Sequence, residues 1–210
     1  MPVAAANLGF PRIGPRRELK TAVEAYWAGK IDRAALLETG EALRAATWAR
    51  QKAAGIQIIP SNDFSFYDQV LDTSVMVGAI PDIYRTLGAP DSLDVYFAMA
   101  RGTRTEGADT GCRHGHGSSG SGSDVPAQEM TKWFDTNYHY MVPELSPAQS
   151  FALTTTKPID HFREAAALGY HTRPVILGPV TYLLLAKSKA EAQGFDPLSL
   201  LPRLVPVYAE

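Results

Sequence analysis

Arg12, Arg16, Arg17 and Lys20 place four cations within nine residues, at what reads as the start of a helix. The unsatisfied N–H groups there already favour an anion, and guanidinium forks match carboxylate or phosphate geometry. Cations one helical turn apart, Arg16 or Arg17 and Lys20, can converge on one anionic group. A solvated face compensated by acids such as Glu18 fits the same pattern, and the residues alone leave both readings open. A second concentration lies in "EMTKWFDTNYHYMVPE", residues 129–144. There Lys132, Asp135, Asn137, His139 and Glu144 are interleaved with Trp133, Phe134, Tyr138 and Tyr140. That mixture suits a pocket for a planar, polar ligand. Packing aromatics around a satisfied core histidine is the alternative.

Asp63 and Asp68 in "SNDFSFYD" stand beside three aromatics after a strand. Paired carboxylates can do acid–base work, but Asp in this position also closes turns and caps helices. Capping is the expected use of Asp68, and Asp63 stays open. Cys112, His114 and His116 have the right chemistry for zinc. They alternate inside a Gly/Ser-rich stretch with no fourth ligand nearby, so no metal site is expected there. No Walker A motif, G-x-G-x-x-G fingerprint or G-x-S-x-G elbow is present.

The elements that must position these residues read as alternating strands and helices. "AANLGFPRIG" is an extended segment entering a Pro/Gly turn. Leu19, Val23, Tyr26 and Trp27 form one apolar stripe of a first helix, which Gly29 closes. Asp32 is the expected N-cap of a second helix over residues 33–55, with Leu36, Gly40, Leu43 and Thr47 on one face. Ile56 to Ile59 predicts a strand broken by Pro60, and a helix follows from about Gln69 to Gly78. Residues 101–124 carry much Gly and Ser and few apolar side chains, which predicts a flexible surface loop. Beyond it, "VPAQEMTKWFDTN" predicts a helix and "YHYMVPEL" a strand, with Tyr138, Tyr140 and Val142 on one face and His139 and Met141 on the other. "HFREAAALGY" predicts a helix stopped by Gly169, "TRPVILGPV" a buried strand, and "PLSLLPRLVPVYAE" a further helix. This is an α/β pattern with a parallel sheet. Polar residues after strand ends, Arg12, Asn62 and Asp63, match the active face of a (βα)8 barrel. About four strand candidates fall short of the eight that a closed barrel needs, so a chain cut short is expected.

The composition narrows the class. Of 210 residues 45% are hydrophobic and 10% aromatic, as in a packed globular protein. A formal net charge of -2 gives no global attraction to nucleic acid or to an anionic membrane, so neither is expected as a partner. The single cysteine, Cys112, cannot form an internal disulfide, and a reducing, cytoplasmic location is expected. No apolar run approaches the ~18 residues of a membrane span, and the N-terminus lacks the pattern of a signal peptide.

Six blocks in order, "LGFPRIG", "RRELK", "AYWAGK", "IIPSNDFSFYDQVL", "EMTKWFDTNYHYMVPE" and "RPVILGPVTYL", resemble the N-terminal part of the cobalamin-independent methionine synthase family. The resemblance covers the chain except for the loop near Arg101 to Ser123. It implies the first half of the N-terminal one of two (βα)8 barrels. It also implies a methyltransferase that moves a methyl group from 5-methyltetrahydropteroyltriglutamate to homocysteine, forming methionine. In the family the "RELK" motif and the lysine of "MTKWF" bind the methylated pteroylpolyglutamate. Those residues are Arg17, Glu18, Leu19, Lys20 and Lys132 here. A cationic helix start on an acidic chain suits a tail of carboxylates.

The family uses no cobalamin. Its zinc, held by His, Glu and two Cys, and its homocysteine site belong to a C-terminal barrel with no counterpart in this chain. Cys112 matches no ligand position, and no catalytic residue is assigned here. The chain is therefore expected to be the folate-binding portion of the enzyme and inactive by itself. The alternative is a non-catalytic fragment or partner subunit that binds polyglutamylated folate. Half a barrel would leave open sheet edges and an uncovered interior.

Overall fold

The computed structural model describes residues 3–103, 124–188 and 194–210. In chain order the elements are α1 (Glu18–Trp27), α2 (Arg33–Ala53), β1 (Ile59–Ser61), α3 (Gln69–Met76), α4 (Asp82–Arg85) and α5 (Leu93–Arg101). Then come β2 (Met130–Lys132), β3 (His139–Met141), β4 (Glu144–Leu145), α6 (Lys157–Ala167) and β5 (Thr172–Pro174). The chain continues through α7 (Pro179–Leu185), β6 (Lys187–Ser188), a 3-10 turn (Pro197–Leu200) and α8 (Leu201–Ala209). The described strands form three separate two-stranded sheets: β1–β5 and β4–β6 are parallel, and β2–β3 is antiparallel. This is a mixed α/β architecture with open sheets. Most of the loop expected over residues 101–124, with Cys112, His114 and His116, lies outside the described residues.

Two compact units divide the chain. Among the described residues the first unit holds 3–66 and 157–176, with α1, α2, β1, α6 and β5. Asp32 caps α2 as expected, its carboxylate accepting the Ala35 N–H at 2.8 Å. Gly55 follows the helix at φ 88, a conformation that favours glycine. Trp48, Ile59 and Ala165 are fully buried together in this unit. Pro60 sits inside β1 and does not break it. The ladder to β5 uses the N–H of Ile59 and the carbonyl of Ser61, so the missing proline N–H costs no pairing. The carbonyl of Pro60 accepts from Trp48 Nε1 at 3.0 Å. Just before β1, Ile58 forms an isolated parallel bridge with Ala6.

The second unit holds residues 67–103, 124–156, 177–188 and 194–210. Its core gathers Val70, Val77, Tyr140, Val142, Leu145, Tyr182, Leu183, Leu200 and Leu204. Asp68 caps α3 as expected, accepting the Leu71 N–H at 3.0 Å. The predicted helix over "VPAQEMTKWFDTN" is corrected: residues 130–132 are strand β2. Met130, Trp133 and Phe134 are spaced like a helix face, but the segment pairs with β3 instead. Trp133 N–H donates to the Tyr138 carbonyl, and Val142 N–H to that of Glu129. The predicted strand "YHYMVPEL" is divided at Pro143 into β3 and β4. Its two faces are not distinguished by burial either, since Tyr140, Met141 and Val142 are all buried. The predicted strand "TRPVILGPV" shrinks to β5, with Arg173 exposed, and α7 opens at Pro179. Helices α4 and α5 lie where the pattern gave no element, and Val95 to Ala100 are all buried. Among the described residues no helix is long and apolar enough to cross a membrane.

Candidate functional site

The four N-terminal cations do not share one anion. Arg12 is half-buried and lines a small recess with Phe10, Arg44, Thr47, Trp48, Asp63 and Phe64. The other three stand at the start of α1. Arg16 Nε donates to Glu18 Oε1 at 3.0 Å, and Lys20 pairs with Glu24 at 3.4 Å. Arg17 is exposed and has no ion-pair partner among the described residues.

The backbone explains that placement. Arg17 sits at φ 64, ψ 34, a left-handed conformation, and its side chain caps nothing. Glu18 does the capping work, with Oε2 accepting the Arg16 N–H at 2.9 Å. Its own backbone N–H, that of Arg16 and then the Arg16 guanidinium hold this carboxyl below its ordinary range. A Cβ at Gly14 (φ 82) would collide with the Glu18 carboxylate and come within 2.9 Å of Leu43. Leu19 is buried and anchors the turn. The motif thus divides into two residues that shape the helix start, Glu18 and Leu19, and two that present charge, Arg17 and Lys20.

Asp63 accepts the Phe10 N–H at 2.9 Å, and burial raises its pKa against that bond and the nearby Lys157 charge. Arg44 grips Glu164 with two nitrogens, at 2.9 Å each, and lies 5.3 Å over the Phe64 ring. His161, buried, has its pKa pushed down to about 2, by burial first and then by the charges of Lys157 and Arg44. These groups belong to the first unit.

In the second unit Lys132 is exposed at the end of β2, opposite His139. The turn that follows is tied by Thr136, whose hydroxyl donates to the Trp133 carbonyl at 2.6 Å and accepts the Tyr138 N–H at 3.3 Å. Trp133 meets Phe134, Tyr138 and Tyr140 edge-on, with centroids 5.9, 6.2 and 5.9 Å away. Asp68 lies beneath this hairpin. One carboxylate oxygen accepts the Tyr138 hydroxyl at 2.7 Å; the other accepts the N–H groups of Leu71 and Met141. Burial raises the Asp68 pKa, and those three donors oppose the shift. Asp63 and Asp68 each serve donors of their own unit, so the structure gives the paired-carboxylate reading no support.

The sequence matches the family described as cobalamin-independent synthase, N-terminal domain, over residues 4–210. The chain belongs to this family. Three relatives carry the name 5-methyltetrahydropteroyltriglutamate–homocysteine methyltransferase. That of Rhodopseudomonas palustris is 67% identical over 209 residues, 99% of this chain and 26% of the relative. That of Caulobacter vibrioides is 63% identical over 210 residues, covering 100% and 27%. That of Streptomyces griseus is 52% identical over 214 residues, covering 100% and 25%. The chain spans about a quarter of the length of these relatives.

Within this cobalamin-independent synthase domain, no group of three or more His, Cys, Asp or Glu among the described residues could hold a metal ion. These residues therefore offer no donor set that fits a zinc site. The sequence named Asp68 as a cap but gave no sign that it also fastens the Lys132 hairpin. Tyr138 lies 70 residues away, and no local pattern records such a bond. The Arg44–Glu164 pair, 120 residues apart, was equally invisible.

Proposed function

We propose that this chain is the N-terminal, folate-binding portion of a 5-methyltetrahydropteroyltriglutamate–homocysteine methyltransferase. Such an enzyme transfers the methyl group of 5-methyltetrahydropteroyltri-L-glutamate to L-homocysteine and forms methionine. The observation that carries this reading is the match of residues 4–210 to the family, with relatives of that name at 52–67% identity. Residues 1–210 belong, on this reading, to the N-terminal (βα)8 barrel of a longer, cytoplasmic protein. The parallel β1–β5 and β4–β6 pairs are compatible with that barrel. Zinc and homocysteine are assigned to the C-terminal barrel.

Arg17, Glu18, Leu19, Lys20 and Lys132 bind the methylated pteroylpolyglutamate. Exposure of Arg17, Lys20 and Lys132 supports this, because a flexible chain of carboxylates needs accessible cations and not a closed pocket. Glu18 and Leu19 act by fixing the backbone that presents Arg17. The test is calorimetric binding of 5-methyltetrahydrofolate as monoglutamate and as triglutamate. Arg17→Ala and Lys132→Ala are expected to weaken the triglutamate several-fold more than the monoglutamate. Equal losses on both ligands would remove the tail-binding role, and no binding of either to the wild-type protein would remove the folate reading.

A further inference from the structure

Helix α6 packs on β1, and two fixed points set the register between them. Ala165 is buried against Ile59 in the cluster that Trp48 completes, and Lys157 Nζ donates to the Phe64 carbonyl at 2.7 Å. The helix therefore runs against the direction of the strand. Positions 157, 161 and 165 lie one turn apart on one helix face, and residues 59 and 61 share one face of the strand. Four helical residues and two strand residues each advance about 6 Å, so His161 falls opposite Ser61. Both are buried, at 8% and 0% exposure. Each also carries a buried polar atom with no hydrogen-bond partner among the described residues, Nδ1 of His161 and Oγ of Ser61. Two such atoms in one layer need an explanation, because a buried polar group without a partner is destabilising.

The charged groups nearby are already committed. Lys157 serves the Phe64 carbonyl, Arg44 of α2 grips Glu164 of α6, and Asp63 after β1 holds the Phe10 N–H. Burial first, and then the charges of Lys157 and Arg44, keep the imidazole neutral. A neutral imidazole has one nitrogen that accepts, and a serine hydroxyl can both donate and accept. We infer that one buried water molecule bridges Ser61 and His161, donating to Nδ1 and accepting the Ser61 hydroxyl proton. Each side chain then has the partner that it lacks, although no direct bond joins the two. The water has the minimum of two polar partners that such a site requires. It fastens α6 to β1 just before Asn62 and Asp63 leave the strand. The inference does not depend on the folate reading.

The experiment uses the full chain, isotope-labelled for NMR. Water-to-protein NOE measurements should show a water held far longer than surface hydration, with cross-peaks to His161 Hε1 and Ser61 Hβ. Ser61→Ala should abolish the cross-peak at His161. Stability is then compared for Ser61→Ala, His161→Phe and the double variant. Each single change strands the other side chain and should lower the folding equilibrium constant roughly 5- to 100-fold. The double variant should lose much less than the product of the two, since a wholly apolar layer strands nothing. Independent losses, or a His161 cross-peak that survives Ser61→Ala, overturn the bridge. Coupled losses with no long-lived water in the wild-type protein overturn it as well, in favour of a direct Ser61–His161 bond. If His161→Phe does not fold, the cross-peak in Ser61→Ala still decides.

Discussion

The α1 start and the Lys132 hairpin both present cations, but they are held by opposite means. At the helix start the fixing groups are near neighbours in sequence and lie close to water: Arg16 with Glu18, Lys20 with Glu24. At the hairpin the fixing group is a buried carboxylate from a distant part of the chain, Asp68, which receives three donors. Exposed pairs contribute little each, whereas removing a buried carboxylate strands the three donors it accepts from. The difference teaches that similar surface chemistry can rest on very different amounts of structure. The hairpin should be the more rigid of the two and the less tolerant of change beneath it.

The sharpest way to break this contrast is Asp68→Ala. It removes a helix cap and two tertiary hydrogen bonds, and should cost about 3 kcal/mol in denaturant unfolding. Asp68→Asn keeps the shape and part of the bonding and should cost about 1 kcal/mol. If alanine cost no more than asparagine, the hairpin would be holding itself. On the other side, Gly14→Ala places a methyl group against the Glu18 carboxylate and Leu43 at a left-handed φ. A loss of about 2 kcal/mol is expected; a neutral result would mean that the α1 entry has slack.

The first unit also carries a buried titrating group, His161. Its folded pKa, about 2, lies below the ordinary 6.5, so the unfolded chain takes up a proton that the folded chain refuses. Stability should therefore be full above pH 6.5 and fall as the pH drops, by at most about 1.4 kcal/mol per unit. Asp63 and Asp68 act with the opposite sign at lower pH, since their folded pKa values are raised and acidification favours the folded state there. His161→Gln should flatten the slope just below pH 6.5; an unchanged slope would assign it to other groups. The smallest effect belongs to Lys20→Ala, under about 0.5 kcal/mol and vanishing in 1 M salt. A larger, salt-resistant loss would show that the helix start depends on more than exposed pairs.

The helix start was legible because its determinants are local. The Asp32 cap and the Gly55 stop act within a few residues as their positions suggest, and of the Leu19, Val23, Tyr26 and Trp27 stripe the first two are buried and the last two half-buried. Asp68 was legible for the same reason as the cap of α3, and only to that extent. The hairpin was misread because Met130, Trp133 and Phe134 mimic helical spacing, while the decisive partners lie across a turn. Pro60 misled in a subtler way: a proline breaks a strand only where its N–H would have been used. The exposed cations themselves were plain in the sequence. Which of them would be paired depended on backbone angles at Gly14 and Arg17 that no residue pattern specifies.

Strand β1 ends at Ser61 and its partner β5 begins at Thr172, so that pair joins residues more than a hundred positions apart. The whole of α3, α4, α5 and the hairpin is threaded between them, and the second unit in turn resumes only after β5. Neither unit is encoded by one continuous stretch. On the ribosome, the first sixty-odd residues emerge with their helices able to form and their sheet unable to close. They must wait for residues 172–174, and the second unit must wait for α7 and α8. Ordering of such widely separated contacts is intrinsically slow. During synthesis the β1 edge therefore lacks its β5 partner until residues 172–174 are made, which gives a chaperone reason to hold it.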